Sequence, residues 1–580
     1  MPPEIIIFLF IELVYTIRHC LQVSRFMCDI YHAKLIIMIL PKGYNPVAYL
    51  SSEFAIDSSL PTYAGGLGVL AGDYMNAAAA DHSPTVGIGI LYKGKQFVQH
   101  ITADGKEEKR DSEFDHDTSF LRATSIRGKA VVFPLDTPNG EILVKSYHLR
   151  LSDESIVFLL STDVDQNPQE WISDMDTLYR GDTDSQIRQE ILLGVGGIKL
   201  LELLKIKPKI YHINEGRPAF LIWALARQLM THKALSFNEA WSLAKESIVY
   251  TNHTLVAAGN PQYNIDTVKY WAAPFASKIG VEVNELIKDG IVDDSFSITH
   301  FALNISNKHN GVSRVHADYL KKDFPNYKWQ AITNGIYMPR WQDSDYRNPA
   351  INDNELWQQH MLKKKELMES VIQRTGFGYD CNRLVITWAR RLAEYKQPKI
   401  IFSDIERLKN IVQNQERPVQ ILFAGNSHAA DPNSESLIDD LILLFSTELS
   451  GHAIFVPDYN ISLANHLTSG SDIWLNTPKG NMEACGTSGM KAISNGVLNC
   501  TVLDGWTYEV DWNGVGWVLD PNDTANSFYN ALENEIAPLY YTKDESGLPR
   551  EWLKRMRKSI QIAKNYSASR MLEEYRKKLY

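Results

Sequence analysis

The sequence predicts an α/β protein with two Rossmann-like lobes, and three observations support this fold class. From Tyr44 onward, short β-branched runs alternate with longer stretches of helical periodicity, which is typical of parallel sheets. A second series of the same kind begins near Arg383. A chain of 580 residues is also too long for one hydrophobic core. We therefore expect an N-terminal lobe at residues 44–340 and a C-terminal lobe at residues 341–580.

The first 43 residues are expected to be an irregular apolar leader. Residues 5–14 (IIIFLFIELV) are apolar, but Glu12 interrupts them and the run is shorter than a membrane span. No basic segment precedes this run, so a signal peptide is disfavoured as well. The alternative is a true start downstream, near Met38. An intact N-terminus at Met1 in mass spectrometry of the native protein would contradict that alternative.

Local patterns predict the elements of the first lobe. YAGGLGVLAGD predicts a glycine-rich loop followed by a helix, and Asn139-Gly140 between alternating apolar runs predicts a hairpin within an antiparallel insertion. Residues 185–227 predict a helix, the short strand KIYHI, a loop and another helix. Because GVGG lies inside the first of these helices, we do not interpret it as a dinucleotide-binding loop. The charged stretch DGKEEKRDSEFDHD is interpreted as a solvated loop.

The second lobe contains a series of strand-like runs that each end at a polar loop. In the first of them, the strand is expected to lead into a helix that carries Arg390, Arg391 and Lys396. The runs are RLVITWARRLAEYK, VQILFAGNSHA, HAIFVPDY, SDIWLNTP and VLNCTVLDGW. The connecting region near residues 338–380 precedes this series, contains charged helical stretches such as HMLKKKELMESVIQR, and is the natural boundary between the lobes.

Charge and cysteine content narrow the class of protein. The formal net charge of -10 argues against a nucleic-acid-binding role, which would leave a basic footprint. The five cysteines are scattered and have no C-x-x-C spacing, so we expect reduced thiols in the cytoplasm and no metal site. Because the chain carries a net negative charge, a small anion would have to be held by a local site and not by the overall charge of the protein.

Three segments have the composition of ligand loops at the carboxyl ends of parallel strands. In YAGGLGVLAGD, glycines allow close backbone approach to an anion, although a packing turn explains them equally well. In WARRLAEYK, two arginines and a lysine suit phosphate oxygens, although such a cluster is usually a solvated helix face. In EACGTSGMKAISNG, hydroxyls and free amides precede Lys491, whose amine could form a Schiff base. By composition alone, a surface lysine is the simpler interpretation.

Taken together, the motifs resemble those of the α-glucan (glycogen, starch and maltodextrin) phosphorylase family, especially its shorter bacterial members. The likeness extends from about Tyr44 to Leu519. It is carried by YLSSEFAIDSSLPTYAGGLGVLAGD, RQEILLGVGG, YTNHT, NGVSRVH, AITNGI, ARRLAEYK, DYNISLA and EACGTSGMKA. The GGLG motif alone would also suit starch synthases, but the lysine-bearing GTSGMKA would not.

The resemblance implies a glycosyltransferase-B type fold with the active site in the cleft between the lobes. It also implies pyridoxal 5'-phosphate, carried by Lys491, as the cofactor. Further contacts to the cofactor would come from Thr487, Ser488, Arg390, Lys396 and Trp341. Arg390 matches a basic position near both phosphates, and Arg391 matches a ligand of the substrate phosphate. The catalytic set implied by the resemblance is Lys491, Arg391, Lys396 and His253.

On the sugar side, the resemblance implies a set of residues that bind or line the glucose site. These are Gly65, Gly66, Leu67, Asn334, His253, Glu483, Gly486, Tyr459 and Glu53. The implied partners are inorganic phosphate and an α-1,4-glucan, with a homodimer as the usual assembly. The implied reaction releases α-glucose 1-phosphate with retention, and the cofactor phosphate exchanges a proton with substrate phosphate. Phosphorylation or nucleotide control, as in the animal enzymes, has no visible basis in the sequence.

Two positions depart from the family pattern. Arg217 in HINEGRPAF stands where the family normally has histidine, and Asn426 in AGNSHAAD replaces a lysine. These changes put contacts to the substrate chain in doubt more than catalysis. Two alternatives remain open at this stage, namely a nucleotide-sugar-dependent synthase of the same fold and a catalytically idle glucan-binding relative.

Overall fold

The computed structural model describes residues 45–94, 96–102, 105–112, 121–179, 181–255, 260–426, 432–480 and 482–580. Within these residues, ten strands form a large mixed sheet, called the first sheet below. Its parallel strands are Val47–Ser51, Thr85–Ile90, Ser155–Ser161, Ile210–Asn214, Ile248–Thr251, Lys308–Gly311 and Trp329–Ala331. Numbered along the chain, these seven lie in the order 3-2-1-4-5-6-7. Three further strands, Arg122–Ala123, Val132–Thr137 and Gly140–Arg150, extend one edge in antiparallel pairing.

The second sheet contains six strands, all parallel, within the described part of the chain. They are Leu384–Ala389, Val419–Ala424, Ala453–Val456, Ile473–Asn476, Leu498–Val502 and Trp517–Leu519. Their spatial order is 3-2-1-4-5-6, the doubly wound order of nucleotide-binding folds. Nearly every residue of the central strands is buried, because helices cover both faces of such a sheet. The mixed α/β fold class predicted from the sequence is confirmed.

Helices connect the strands of both sheets. Those around the first sheet are Gly66–Ala80, Gln169–Ser173, Thr183–Ile191, Gly197–Leu203, Leu221–Lys233, Phe237–Glu246, Ile265–Ile279, Val283–Ile287, Ile298–Asn304 and Arg314–Asp323. The helices that follow are Met338–Trp341, Asp353–Thr375, Ile405–Val412, Pro432–Ser446, Ile461–Gly470, Ser488–Ser494, Thr524–Ala531, Ala537–Tyr541, Arg550–Ala563 and Ala568–Lys578. The GVGG segment continues its helix through the π-helical turn Leu192–Gly196, so it is not a dinucleotide loop.

Two local predictions need correction. The predicted hairpin exists, but Thr137 pairs with Gly140, so its two-residue loop is Pro138–Asn139 and not Asn139-Gly140. Gly140 has a φ of +116°, a value that residues with a side chain rarely adopt. Part of the charged stretch expected to be a solvated loop is a strand, because Glu107–Ser112 pairs antiparallel with Gln96–Ile101. The pairing satisfies backbone groups that a loop would leave to water.

The predicted leader, residues 1–43, lies outside the described residues. Across the part of the chain that the structure describes, no helix is both long and apolar enough to cross a membrane.

A buried ion pair joins the helix Asp353–Thr375 to the second sheet. Lys364 and Asp472 are fully buried, and Lys364 Nζ donates to Asp472 Oδ2 and to the Tyr540 hydroxyl. His360 Nε2 lies 2.7 Å from Asp472 Oδ1. Asp472 Oδ2 also accepts a hydrogen bond from the Val385 N–H, at 2.7 Å, so the carboxylate links the helix to the central strand.

Replacing this lysine should strongly destabilise the protein. Lys364→Met leaves a buried carboxylate without its cation, so we expect the free energy of unfolding to fall by about 3–5 kcal/mol. Lys365→Met is the matched control, because Lys365 is exposed and, among the described residues, pairs with the exposed Glu369 one helical turn away. Its free energy of unfolding should stay within about 0.5 kcal/mol of the parent. Urea unfolding measures both values, and equal stabilities of the two variants would contradict the account.

Candidate active site

The predicted site residues follow the central strand of each sheet. Strand order reverses beside Val47–Ser51 in the first sheet and beside Leu384–Ala389 in the second. Ligands of doubly wound sheets bind outside the carboxyl ends of strands at such points of reversal. Glu53 lies two residues after the first of these strands, and Arg390 directly follows the second. The topology therefore explains why chemistry-bearing side chains occur at these positions.

Lys491 lies on the helix Ser488–Ser494 with its side chain buried against Trp341. The Lys491 Nζ atom is 3.8 Å from the centre of the Trp341 ring, and the residue is only 8% exposed. The pKa of Lys491 is lowered to about 8, chiefly by burial; the charge of Asp73 opposes this shift and the charge of Arg340 adds to it. A lowered pKa leaves more neutral amine near physiological pH, which is the reactive form of a lysine nucleophile.

Asp73 supports this arrangement, although the motif analysis assigned it no role. Asp73 Oδ2 accepts hydrogen bonds from Trp341 Nε1 at 2.7 Å and from the Tyr337 N–H at 3.1 Å. Asp73 Oδ1 pairs with Arg340 Nη1 at 3.2 Å. Asp73 is the single charged residue in the helix GLGVLAGDYMNAAAA, and this is the sequence signal that could have identified it. Asp73 thus ties the helix after the glycine-rich loop to the aromatic ring that contacts Lys491.

The buried residues Arg390 and Lys396 form a charged cluster with the partly buried Glu483. Lys396 Nζ lies 3.0 Å from Glu483 Oε2, and Arg390 Nη1 lies 3.7 Å from the same oxygen. The pKa of Lys396 is lowered to about 8, chiefly by burial; the charge of Glu483 opposes this shift, and the charges of Arg390 and Arg391 add to it. Burial alone would raise the pKa of Glu483, but the three cations hold it below its ordinary value. Three cations around one carboxylate leave net positive charge for an anionic ligand.

The helix predicted to follow the strand Leu384–Ala389 is absent in the described residues at this point. Only the 3-10 turn Glu394–Lys396 forms there, and Arg390 and Arg391 lie in the connecting loop. The Arg390 N–H donates to Ala424 O at 3.1 Å, so the backbone continues to pair with the neighbouring strand and does not begin a helix. Arg391 is exposed beside the cluster, whereas Arg390 and Lys396 are buried.

The loop before Lys491, residues 483–487, is held from below by Asp504. Asp504 Oδ2 accepts hydrogen bonds from the Met482 and Glu483 N–H groups at 3.0 and 2.9 Å. Gly486 has a φ of +80°, a conformation that favours glycine. Thr487 and Ser488 begin the helix that carries Lys491, and Ser488 Oγ accepts a hydrogen bond from Trp474 Nε1 at 3.3 Å. A loop followed by a helix that carries Lys491 is confirmed, but the helix begins at Ser488, so Ser488 and Gly489 lie in its first turn and not in the loop as predicted.

The glycine-rich loop, residues 63–65, leads directly into the helix Gly66–Ala80 and is held by Glu53. Glu53 is buried, and its Oε2 accepts hydrogen bonds from the N–H groups of Ala64 at 2.8 Å and Gly65 at 3.1 Å. A Cβ added at Gly65 or Gly66 would meet open space, and Leu67 is partly exposed. A Cβ at Gly68 would instead lie 2.5 Å from Tyr63 Cβ. The glycines thus divide into an open pair and one required for packing.

His253 and Asn334 each have a polar side-chain atom that could accept a hydrogen bond from a ligand. His253 Nε2 lies 2.6 Å from Asn214 Oδ1, and burial lowers the pKa of the imidazole to about 3, so the ring is neutral. A proton on Nε2, shared with Asn214, leaves Nδ1 as an acceptor for a hydroxyl. Asn334 Oδ1 is buried and has no hydrogen-bond partner among the described residues. A ligand donor is a natural partner for such an atom.

Tyr459 lies close enough to the Arg390 guanidinium to be influenced by its charge. Burial raises the pKa of Tyr459 to about 12, and Arg390 opposes this shift. The Tyr459 carbonyl accepts a hydrogen bond from Asn426 Nδ2 at 2.9 Å. The asparagine at position 426, where the family has lysine, therefore contacts the backbone of Tyr459. Arg217, the other departure, lies at the start of the turn Arg217–Phe220 and contacts Glu190 and Tyr179.

The residues present fit pyridoxal phosphate. Lys491 offers a buried amine with a lowered pKa next to an aromatic ring. Arg390 Nε and Nη1 are buried and lack hydrogen-bond partners among the described residues, so the cluster has donors available for phosphate oxygens. No group of three or more metal-ligating side chains occurs in the residues that the structure describes.

Comparisons with known proteins agree with this chemistry. The carbohydrate phosphorylase family profile matches residues 201–353 and 344–516. The maltodextrin phosphorylase of Thermococcus litoralis is 34% identical, and the match covers 93% of this chain and 71% of that protein. The glycogen phosphorylase of Aquifex aeolicus is 31% identical over 92% of this chain and 86% of that protein. For the glycogen phosphorylase of Mycobacterium tuberculosis the values are 29%, 92% and 70%. The resemblance inferred from the motifs is therefore confirmed, and the chain belongs to the carbohydrate phosphorylase family.

Proposed function

We propose that this protein is an α-glucan phosphorylase that releases terminal α-1,4-linked glucose as α-D-glucose 1-phosphate, with retention of configuration. The observation that carries the proposal is that one loop and the helix after it provide two features. Lys491 has a buried amine against the Trp341 ring, and Glu483 lies beside the cations of Arg390 and Lys396. Relatives named maltodextrin phosphorylase and glycogen phosphorylase support the same substrate class. None of the three relatives compared above is named a synthase.

We also propose the glycosyltransferase-B arrangement, with lobes at residues 44–340 and 341–580 and the active site in the cleft between them. Two sheets with the same doubly wound strand order support this division. Contacts between the halves support a shared site, because Asp73 of the first half holds Trp341, whose ring contacts Lys491. Ser313 Oγ also donates a hydrogen bond to Ala484 O, in the loop before Lys491, at 2.7 Å.

In this proposal, the cofactor is pyridoxal 5'-phosphate, bound by Lys491, Thr487, Ser488, Arg390, Lys396 and Trp341. When bound, pyridoxal phosphate supplies a phosphate group that can exchange a proton with substrate phosphate. Lys491 contributes the attaching amine, and the hydroxyls at the start of its helix would hold phosphate oxygens beside free backbone N–H groups. The flat face of Trp341 limits the positions that the lysine side chain can reach.

The basic residues make phosphorolysis possible by offsetting repulsion between two phosphates. At close range in a cleft of low dielectric constant, two such anions repel strongly. Arg390 and Lys396 are already buried and charged beside Glu483, so they require little reorganisation when an anion enters. Arg391, exposed at the edge of the cluster, is placed to meet incoming phosphate. We assign Arg391 to substrate phosphate and Lys396 to the cofactor phosphate.

The sugar is held by neutral or acceptor groups. The Glu483 carboxylate can accept a hydrogen bond from a hydroxyl, the His253 imidazole is neutral, and the Asn334 amide oxygen lacks a partner within the described residues. We assign these three to the glucose hydroxyls, together with Gly486 and the backbone of the glycine-rich loop. Protonation of the glycosidic oxygen comes from phosphate, so the paired carboxylates of a glycosidase are not needed. Exclusion of water then separates phosphorolysis from hydrolysis.

Cofactor binding should weaken at alkaline pH. The pKa of Lys396 is lowered to about 8, chiefly by burial, so its positive charge is present below that pH and is lost above it. Because Lys396 is assigned to the cofactor phosphate, we expect the affinity of the cofactor-free protein for pyridoxal phosphate to fall above pH 8, relative to that of Lys396→Arg, by up to about tenfold per pH unit. Lys396→Arg is the reference because a guanidinium stays charged. The same pH dependence of affinity in the parent and in Lys396→Arg would contradict the assignment.

The experiment that separates this function from its alternatives compares three reactions of the purified protein. A phosphorylase converts maltoheptaose and phosphate into glucose 1-phosphate. A synthase instead extends maltoheptaose from a nucleotide sugar, and an idle relative binds maltoheptaose without turnover. Either of the latter outcomes would overturn the proposal.

We also propose a cytoplasmic location, which is supported by the free thiols of Cys381, Cys485 and Cys500. We further propose a homodimer, which a measurement of molecular size in solution would test.

A further inference from the structure

A line of contacts joins Arg217 to the glycine-rich loop. The Arg217 guanidinium lies 4.7 Å from the centre of the Tyr179 ring. The Tyr179 hydroxyl donates to Glu53 Oε1 at 2.5 Å, and Glu53 Oε2 accepts the N–H groups of Ala64 and Gly65. We call Arg217, Tyr179 and Glu53 the arginine relay. Three successive contacts therefore separate a position that departs from the family pattern from the loop expected to contact sugar.

Arg217 is fixed at the far end of this relay. Its side chain is 18% exposed, and its Nη1 lies 3.6 Å from Oε1 of Glu190, which is 1% exposed. The same oxygen accepts a hydrogen bond from the Tyr263 hydroxyl at 2.7 Å. A Cβ added at Gly194 would lie 2.7 Å from Pro218 O, so the helical segment after Glu190 packs directly on the turn that begins with Arg217. Guanidinium and carboxylate thus stand on two elements in tight contact.

Tyr179 depends on its surroundings for its position. Its backbone has a φ of +58°, in the left-handed region that residues with bulky side chains seldom occupy. Such conformations persist only where the neighbouring structure over-determines them. The Arg217 guanidinium on one side and the Glu53 carboxylate at the hydroxyl supply that constraint. Without the guanidinium, the ring loses a cation–π partner in a site of low exposure.

We propose that Arg217 is a positioning residue that sets the glycine-rich loop through Tyr179 and Glu53. Arg217 touches no reacting atom in this account. Its effect on activity arises indirectly, because the Ala64 and Gly65 N–H groups are taken up by Glu53. Their position sets the start of the helix Gly66–Ala80, whose first N–H groups have no partner within the helix and are available to a ligand. Small displacements of such binding groups have large effects on rate. The kinetic part of this inference rests on the proposed phosphorylase function, whereas the structural part does not.

The test uses the full-length protein and two readouts. Arg217→Met removes the charge and keeps a chain of similar reach, and Tyr179→Phe removes only the hydroxyl that binds Glu53. We expect amide hydrogen exchange at Ala64 and Gly65 to accelerate by about tenfold in each variant, because the constraint on these amides is local. We expect kcat/KM for maltoheptaose to fall by about tenfold in each. The double variant should be no worse than the poorer single variant, since both act through one relay.

Arg407→Met is the matched control. Arg407 also lies over a tyrosine ring, that of Tyr529, and pairs with a carboxylate, that of Glu533, but it has no link to the glycine-rich loop among the described contacts. Exchange at Ala64 and Gly65 should not change in this variant, whatever its melting temperature.

Unchanged exchange at Ala64 and Gly65 in Arg217→Met and Tyr179→Phe would overturn the inference. So would multiplicative losses of kcat/KM in the double variant, which indicate independent roles. If Arg217→Met fails to fold, Tyr179→Phe and Arg217→Lys carry the test, because the lysine keeps the charge and loses the planar stack. If the unaltered protein releases no glucose 1-phosphate, the proposed function fails, and hydrogen exchange alone decides whether the relay exists.

Discussion

Lys491→Ala should abolish both cofactor retention and glucose 1-phosphate release. The variant removes the buried amine that lies 3.8 Å from the Trp341 ring centre, and nothing in its side chain can attach to a carbonyl carbon. Because the variant cannot keep the cofactor, it also loses the cofactor phosphate that exchanges a proton with substrate phosphate. We therefore expect kcat to fall by about 10⁴-fold or more, the upper range of what proton transfer by a positioned group contributes. Absorbance of the purified protein after incubation with pyridoxal phosphate measures retention, and phosphorolysis of maltoheptaose measures activity.

Lys491→Arg separates loss of the amine from loss of the charge. Arginine keeps a cation near Trp341 and Asp73 but has no primary amine, so it should fail in the same way as alanine. Treatment with borohydride followed by mass spectrometry then locates any covalent link. A covalent adduct retained in Lys491→Ala would sink the assignment of Lys491, and activity retained in Lys491→Arg would show that the charge alone suffices.

Lys396→Met should have the second largest effect. It removes the cation 3.0 Å from Glu483 Oε2, which leaves Arg390 as the remaining buried partner of that carboxylate. Because the cluster must counter repulsion between phosphates, we expect kcat/KM for phosphate to fall by about 10²–10³-fold, the range found when one preorganised donor is removed. Phosphorolysis rates at increasing phosphate concentration measure this value, and the cofactor content of each preparation is used to normalise it.

Lys399→Met is the matched control for Lys396→Met. Lys399 is half exposed, pairs with Asp440, and lies three residues away on the same segment, outside the cluster. Its variant should keep the kcat/KM of the parent. Arg391→Ala, at the exposed edge of the cluster, should mainly raise the phosphate concentration required. Equal activities for Lys396→Met and Lys399→Met would remove Lys396 from the site.

The strands and their parallel pairing could be predicted because buried parallel strands have a strong pattern. VITWA, ILFA and IWLN are short apolar runs that end at polar residues, and each is a strand of the second sheet. The stretch after Ala389 was predicted wrongly because RRLAEYK has the composition of a helix, while tertiary pairing of Arg390 with Ala424 extends the backbone. The hairpin loop differed by one residue because Asn-Gly and Pro-Asn are both good turn pairs.

The candidate site could be predicted only in part. Contiguous sequence motifs contain four of its residues and were sufficient to identify them; these are Lys491, Arg390, Lys396 and Glu483. Asp73 and Asp504 act by holding other groups, and such supporting contacts depend on long-range geometry. No sequence pattern predicts the arginine relay, because a tyrosine outside any motif gives no indication of which group its hydroxyl will contact. Residues that touch ligands are therefore easier to recognise than residues that position them.

The central claim is tested most directly by glucose 1-phosphate release from maltoheptaose in protein stripped of cofactor. The account predicts no release without inorganic phosphate, no release without pyridoxal phosphate, and turnover when both are supplied, with a change in the protein's absorbance on adding the cofactor. Release that does not depend on pyridoxal phosphate would contradict the assignment of Lys491. Binding of the cofactor and maltoheptaose with no release would favour an idle relative over a phosphorylase.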